Sequence, residues 1–299
     1  MKKYKFHTSL SMKKLLFILF VFFSLGIKAQ NKIDSLSIDS LHDVEIRLMG
    51  LSERMIQSYD EEERMTSGKN FIRTLVRAIK VQGSYYYPFD SLKAVSIIQS
   101  PDNLFRIMTW NLGTNEEEFH YYGLIQMNPD KMKKIKDTTN LRAFYPLIDR
   151  SSKINNPYDT ITSADFWWGS TYYQMALSKA GKTTFYTILG WDGNTNRSNK
   201  KVVDVLTFQN NKPVFGAPIF DVKGKKLLKR MIWEFSNQAT MTLRYEEKKN
   251  MLIYENIVPP KPSNLGMYET YLPDGSYDFM VWKNGKWQIT GELTDFKMK

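Results

Sequence analysis

The chain has 299 residues, of which 24% are charged and 14% aromatic, and it contains no cysteine. This composition is typical of a globular protein, and the absence of cysteine excludes a disulfide framework, a thiolate metal site and a lipid-modified cysteine. The formal charge of +11 does not indicate a nucleic-acid partner. Six of the 42 basic residues lie in positions 1–29, which hold no acidic residue, so the rest of the chain has 36 basic against 31 acidic residues.

The first 29 residues have the pattern of a cleaved export signal. Lys13 and Lys14 precede an apolar run over residues 15–27, and the small residue Ala29 follows it. A run of about 13 residues fits the apolar region of a secretory signal and is shorter than the roughly 20 residues of a membrane-spanning helix. The sequence therefore predicts removal of residues 1–29 and a mature protein in the periplasm or outside the cell, with neither a lipid anchor nor a transmembrane segment.

Residues 30–82 carry the period of two amphipathic helices. Between residues 34 and 58, apolar positions recur at steps of three and four and form one stripe: Leu41, Val44, Leu48, Leu51 and Met55. A second helix is predicted from Asp60 through Lys80, with acidic residues at its start, although Gly68 weakens its first turns. Two joined helices cannot bury their stripes alone, so we expect this hairpin to pack on the following body.

Residues 83–299 have the pattern of strands and turns. Short segments rich in aromatic and β-branched residues alternate with turn sequences, of which Asn284-Gly285 is the strongest, because a type I′ hairpin turn needs positive φ at both central positions. Residues 183–191 are apolar on both faces, which predicts a strand that lies centrally or under the helical hairpin. The predicted fold class is mainly β (α+β). It consists of a helical hairpin packed on a large antiparallel meander, curled into a sandwich or an open barrel and forming one continuous domain with the helices.

Common catalytic signatures are missing from the sequence. There is no G-x-S-x-G elbow, H-E-x-x-H zinc pair, Walker loop or G-x-G-x-x-G motif. No catalytic residue is identified, and this favours a protein that is not an enzyme. The alternative is a glycan-active enzyme with two carboxylates about 5 to 10 Å apart. The carboxylate candidates are Glu118, Asp165, Asp192, Asp204 and Glu255.

One loop has a partial calcium-binding pattern. Asp192, Asn194 and Asn196 present side-chain oxygens at alternate positions, as calcium loops do. Arg197 stands where such a loop has glycine, and Val203 stands where it has an acidic ligand. The same residue types form turns between strands. No cofactor is predicted apart from calcium at these three residues.

Aromatic residues beside this loop suggest a sugar-binding surface. Trp167, Trp168 and Tyr172 lie close together in the sequence, and Trp191 precedes the polar pair Asp192 and Asn194. An exposed ring can cover the apolar face of a sugar while neighbouring polar groups bond its hydroxyls. Core packing is the alternative, since adjacent residues of a strand point to opposite faces.

Four segments resemble a group of uncharacterised exported bacterial proteins that has no assigned activity. They are SPDNLFRIMTW at residues 100–110, GWDGN at 190–194, KKVVDVL at 200–206 and PVFGAPIF at 213–220. The resemblance implies one continuous strand-rich domain and transfers no functional residue. The sequence thus predicts an exported envelope protein that binds a glycan or an envelope protein or has a structural role. A carrier of a lipid or another apolar ligand is a further alternative.

Overall fold

The computed structural model describes residues 33–116, 118–224 and 226–290, and the export signal predicted at residues 1–29 lies outside them. The described residues are mainly β, with antiparallel sheets, an N-terminal helical hairpin and no closed barrel, which confirms the predicted fold class. The helices within this part of the chain are α1 (Ser35–Gln57), α2 (Glu61–Ile79) and the short α3 (Pro129–Met132).

The two long helices begin at side-chain caps. The carboxylate of Asp34 accepts a hydrogen bond from the backbone N–H of Ser37 at 2.9 Å, and that of Asp60 accepts one from Glu62 at 3.0 Å. Each cap satisfies a donor that the first turn leaves without a helical partner. Both helices therefore start within one residue of the positions that the sequence predicts.

The strands form three sheets within the described residues. The helix-side sheet is a meander of β1 (Ser96–Gln99), β2 (Phe105–Gly113), β3 (Phe119–Met127) and β4 (Phe144–Ile148). The central sheet has the order β5 (Thr162–Ser163), β9 (Lys212–Phe215), β8 (Ser198–Gln209), β7 (Thr183–Asp192) and β6 (Thr171–Ala180), with β11 (Met231–Ser236) also paired to β8. The outer sheet has the order β10 (Phe220–Asp221), β15 (Lys286–Thr290), β14 (Leu272–Lys283), β13 (Met251–Val258) and β12 (Leu243–Glu246).

The helical hairpin and the three sheets stack in the order hairpin, helix-side sheet, central sheet, outer sheet. One apolar cluster joins the hairpin to the helix-side sheet, a second joins that sheet to the central sheet, and a third joins the central sheet to the outer sheet. Strand β7 contributes to two clusters, since Tyr186 and Ile188 face the helix-side sheet while Leu189 faces the outer sheet. This position explains why residues 183–191 are apolar on both faces.

The body departs from a single meander in three places. Strand β10 pairs with β15 in parallel, β5 pairs with β9, and β11 pairs with β8, in each case instead of a strand adjacent in the sequence. Stacking three sheets buries both faces of the central one, and this removes more apolar surface from water than a one-sided meander of the same strands would. The predicted turn between β14 and β15 is present, with φ of 53° at Asn284 and 78° at Gly285.

Two helical glycines have different surroundings, and their replacement by alanine should have opposite effects. A Cβ at Gly50 would lie 3.8 Å from Arg54 Nη1, whereas a Cβ at Gly68 would lie 2.8 Å from Cδ1 of the buried Leu112. We expect Gly50→Ala to stabilise the protein by about 0.5 to 1 kcal/mol, because alanine is the better helix former. We expect Gly68→Ala to destabilise it, because overpacking costs about 1 to 3 kcal/mol. Urea unfolding measures both, and equal stabilisation by the two variants would contradict the close packing of α2 on β2.

Candidate functional site

A cleft of about 600 Å³ opens where one end of the helix-side sheet meets one end of the central sheet. We call it the carboxylate cleft. Its polar side chains come from the start of β3, from the end of β4 and the residues after it, and from around the β7–β8 turn. Its lining residues are Glu118, Phe119, His120, Tyr121, Tyr122, Leu147, Ile148, Asp149, Ser151, Ser152, Trp168, Asp192, Asn194, Thr195 and Lys200.

A second cleft of about 440 Å³ adjoins the first, and we call it the aromatic cleft. It is lined by Pro157, Tyr158, Trp168, Lys200, Ile232, Trp233, Glu234, Ile257, Tyr268 and Tyr271. Both clefts share Trp168 and Lys200, and the ammonium of Lys200 lies 5.8 Å from the centre of the Trp168 ring. These two side chains therefore form the partition between the clefts.

Asp192 is the most buried carboxylate of the carboxylate cleft, at 6% exposure. Its Oδ1 accepts hydrogen bonds from the hydroxyl of Tyr121 at 3.0 Å and from the backbone N–H of Asn194 at 2.8 Å. Burial raises the pKa of Asp192 above its ordinary value, and the charge of Asp149 raises it further, against the opposing effect of Lys200. Two carboxylates, Asp149 and Asp192, thus line one cleft.

Asp149 is held in place by the segment that follows it and by Gly169. Its Oδ1 accepts hydrogen bonds from the N–H and the hydroxyl of Ser151, at 2.9 and 2.6 Å, and from the N–H of Gly169 at 3.2 Å. A Cβ at Gly169 would lie 2.6 Å from both Asp149 Cγ and Tyr121 Cβ. Glycine is therefore required here for the backbone to approach the two side chains.

A hydrogen-bonded group lies beside the partition. The side-chain amide of Asn194 donates to Ser198 Oγ at 2.7 Å and to Glu234 Oε1 at 3.0 Å, and its Oδ1 accepts from the ammonium of Lys200 at 2.6 Å. Ser198 also donates to Glu234 at 2.7 Å. These contacts fix the side chains that face both clefts.

Each of the three residues of the predicted calcium loop takes part in a hydrogen bond within the protein. Asp192 Oδ1 caps a turn, Asn194 Oδ1 accepts from an ammonium, and the exposed Asn196 accepts a hydrogen bond at its backbone oxygen from Asn237. Over the described residues, no group of three His, Cys, Asp or Glu side chains is arranged to hold a metal. Calcium binding stays a prediction, and it would require Lys200 to leave Asn194.

The predicted ligand-binding residues divide between the clefts and the core. Trp168, Asp192 and Asn194 line the carboxylate cleft. Trp167 and Tyr172 are fully buried between the layers, where Trp167 Nε1 donates to the Tyr172 hydroxyl at 2.9 Å. Trp191 is half-buried and packs edge-on against Phe119, with 5.6 Å between ring centres.

The predicted carboxylate candidates are likewise dispersed. Glu118 and Asp192 line the carboxylate cleft, whereas Asp165 is exposed and lines neither cleft. Asp204 is fully buried in an ion pair with Arg230, and Glu255 lies on the outer sheet, where it accepts from the N–H of Thr242. Asp149, Lys200, Glu234 and the tyrosines of the aromatic cleft are not among the predicted site residues. They come from segments with no shared spacing pattern, so no signal in the sequence indicates that they meet.

Comparison with known proteins found no matching family model, curated protein or solved structure. The resemblance to exported bacterial proteins therefore stays a prediction. Among the residues that the structure describes, no helix has both the length and the apolar character needed to cross a bilayer.

Replacement of Asp192 by asparagine should change how stability depends on pH. The pKa of Asp192 is raised in the folded state above its ordinary value of 3.8, so its contribution to stability is complete below pH 3.8 and is lost as the pH rises through the folded-state pKa. Asparagine does not ionise, so the Asp192→Asn variant does not lose this stability as the pH rises. Its side-chain oxygen still accepts the hydrogen bond from Tyr121. Its stability relative to wild type should therefore increase as the pH rises above 3.8.

Urea unfolding at several pH values measures this difference. The exposed Asp165→Asn is the matched control, and it should not reproduce the trend. A constant difference between wild type and Asp192→Asn across the range would contradict the raised pKa.

Proposed function

We propose that this chain is an exported glycan-binding protein whose binding groove consists of the carboxylate cleft and the aromatic cleft. The main support for this proposal is that Trp168 and Lys200 line both clefts. The two clefts are therefore neighbouring compartments of one surface. Cavity volumes of about 600 and 440 Å³ are within the range of small-ligand sites. Export is supported by the sequence of residues 1–29.

The aromatic cleft offers ring surface to a ligand. Tyr268 is 50% exposed and Tyr158 is 41% exposed, and Trp233 and Trp168 contribute further rings to the same cleft. Aromatic rings with a polar edge pack well against the apolar face of a sugar ring and leave its hydroxyls free to form hydrogen bonds. Several rings in one groove suit an oligosaccharide better than a single small polar molecule.

The carboxylate cleft and the partition offer hydrogen-bonding groups for those hydroxyls. Asp149 and Asp192 supply acceptors, and Lys200 supplies a donor. Because Lys200 and Glu234 are held by Asn194 and Ser198, they keep their positions without a ligand, which lowers the entropy cost of binding. The arrangement of rings beside fixed polar groups is what a glycan site requires.

Removal of one exposed ring should weaken glycan binding without affecting the fold. We expect Tyr268→Ala to raise the Kd for chitohexaose or cellohexaose about five- to tenfold, because stacking on an aromatic ring contributes about 1 kcal/mol. The matched control is Tyr59→Ala, which removes a fully exposed tyrosine from the link between α1 and α2. Isothermal titration calorimetry measures both, and equal affinities for the two variants would contradict binding in the aromatic cleft.

A glycan-active enzyme is the second candidate, favoured by the pair Asp149 and Asp192. A buried carboxyl group with a raised pKa beside another carboxylate is the arrangement of a general acid and its partner in glycoside hydrolysis. In this case the wild type releases reducing ends from a bound oligosaccharide, and Asp149→Asn and Asp192→Asn each lower that rate at least about 100-fold. Asp165→Asn is the control. Binding without release of reducing ends would reject the enzyme and leave the binding protein.

A further inference from the structure

A third cleft, of about 560 Å³, lies at the other end of the helix-side sheet. Arg106, near the start of β2, lines it and pairs in register with Gln126, whereas His120 of the carboxylate cleft pairs with Leu112 near the end of β2. The two sites are therefore separated by most of the length of this strand. We call this third site the Arg106 cleft, lined among others by Tyr85, Phe89, Asp90, Lys93, Ile97 and Arg106.

Arg106 is a buried cation that contacts neutral acceptors. The residue is 4% exposed, and its guanidinium donates to Gln126 Oε1 at 2.9 Å and to the backbone oxygens of Tyr87 and Ser84 at 2.7 and 2.8 Å. Within the described residues, no carboxylate forms an ion pair with it. A guanidinium has five N–H groups, so these three bonds leave two without a partner. Burial lowers the pKa of Arg106 to about 10.

A buried charge is normally paired, since removal of an ion from water carries a large free-energy penalty. The other charged residues that line this cleft, Lys93 and Asp90, are exposed and have opposite signs. The excess positive charge of the cleft is therefore that of Arg106. A ligand with one negative charge would supply the missing partner.

Residues 87–91, beside the guanidinium, include a strained backbone position and are held by hydrogen bonds to α1. Phe89 has a φ of 56°, in the left-handed region that residues other than glycine rarely adopt, and its ring centre lies 5.3 Å from Arg106 Cζ. Buried Glu45 of α1 holds the neighbouring backbone by accepting from the Tyr87 hydroxyl at 2.5 Å and from the Ser91 N–H at 2.8 Å. Strain that the surroundings maintain is characteristic of ligand sites.

We infer that the Arg106 cleft binds a small organic carboxylate with an apolar body. The carboxylate accepts from the two free N–H groups of Arg106, because the planar guanidinium matches a carboxylate in charge and shape. The apolar body packs against Leu92 and Ile97, which line the same cleft. A single buried cation suits one carboxylate better than a phosphate dianion.

The first test compares benzoate with benzamide on the wild-type protein by thermal unfolding. The two probes share a ring and differ in charge. We expect 10 mM benzoate to raise the Tm by about 2 °C or more and benzamide to leave it unchanged. Equal shifts with both probes, or a shift with inorganic phosphate and none with benzoate, would overturn the inference. No glycan is present, so the outcome is independent of the proposed function.

Two variants locate the binding group. Arg106→Lys keeps the charge and loses the planar donor pair, and it should abolish the benzoate shift. Lys93→Met removes the exposed cation of the same cleft and should retain the shift. If Arg106→Lys does not fold, the ¹⁵N resonance of the Arg106 Nε in the wild type serves instead. This resonance should move with benzoate, and an unchanged resonance at a benzoate concentration that raises the Tm would place binding elsewhere.

Discussion

The buried ion pair between Asp204 and Arg230 joins the elements from which the two neighbouring clefts are built. Both side chains are fully buried, with Arg230 Nε 2.9 Å from Asp204 Oδ2, and Arg230 Nη1 donates to the backbone oxygen of Pro157 at 2.9 Å. The Tyr172 hydroxyl lies 3.4 Å from the same carboxylate oxygen. Removal of one partner would leave an unpaired buried charge, which costs about 3 to 5 kcal/mol. The pair thus ties β8 to the start of β11 and to the irregular segment around Pro157.

This buried pair also determines where Trp168 lies. The guanidinium of Arg230 is 6.0 Å from the Trp168 ring centre, and the ammonium of Lys200 is 5.8 Å from it. Two cations near one ring hold it through its quadrupole as well as through packing. The Trp168 side of the partition between the carboxylate cleft and the aromatic cleft is therefore held from the interior.

The elements that could be predicted are those that local chemistry specifies. Asp34 and Asp60 cap helices, and Asn284-Gly285 forms a turn, for reasons contained within four residues of sequence. The groove depends on contacts between distant segments. Period-two alternation indicates that Trp167 and Trp168 face opposite ways. Which of the two rings faces the core is decided by their contacts with Tyr172 and Arg230. No sequence pattern predicts these contacts. Among the described residues, Arg106 forms no ion pair, and this likewise depends on which side chains the helical hairpin and the sheets bring together.

Strand β6 connects all three sheets through polar bonds. The strand has a bulge between Tyr172 and Gln174. The Tyr172 backbone N–H lies 2.9 Å from Thr109 Oγ1 of the helix-side sheet, while the Gln174 amide donates to the Tyr245 backbone oxygen at 2.7 Å and accepts from its N–H at 2.8 Å. These bonds have preferred lengths and directions, so they set the relative positions of the sheets more closely than apolar packing alone. Because the carboxylate cleft and the aromatic cleft are assembled from elements of different layers, a ligand bound there stabilises the stacked structure as a whole. Its binding free energy should then appear in global unfolding rather than in the local opening of one loop.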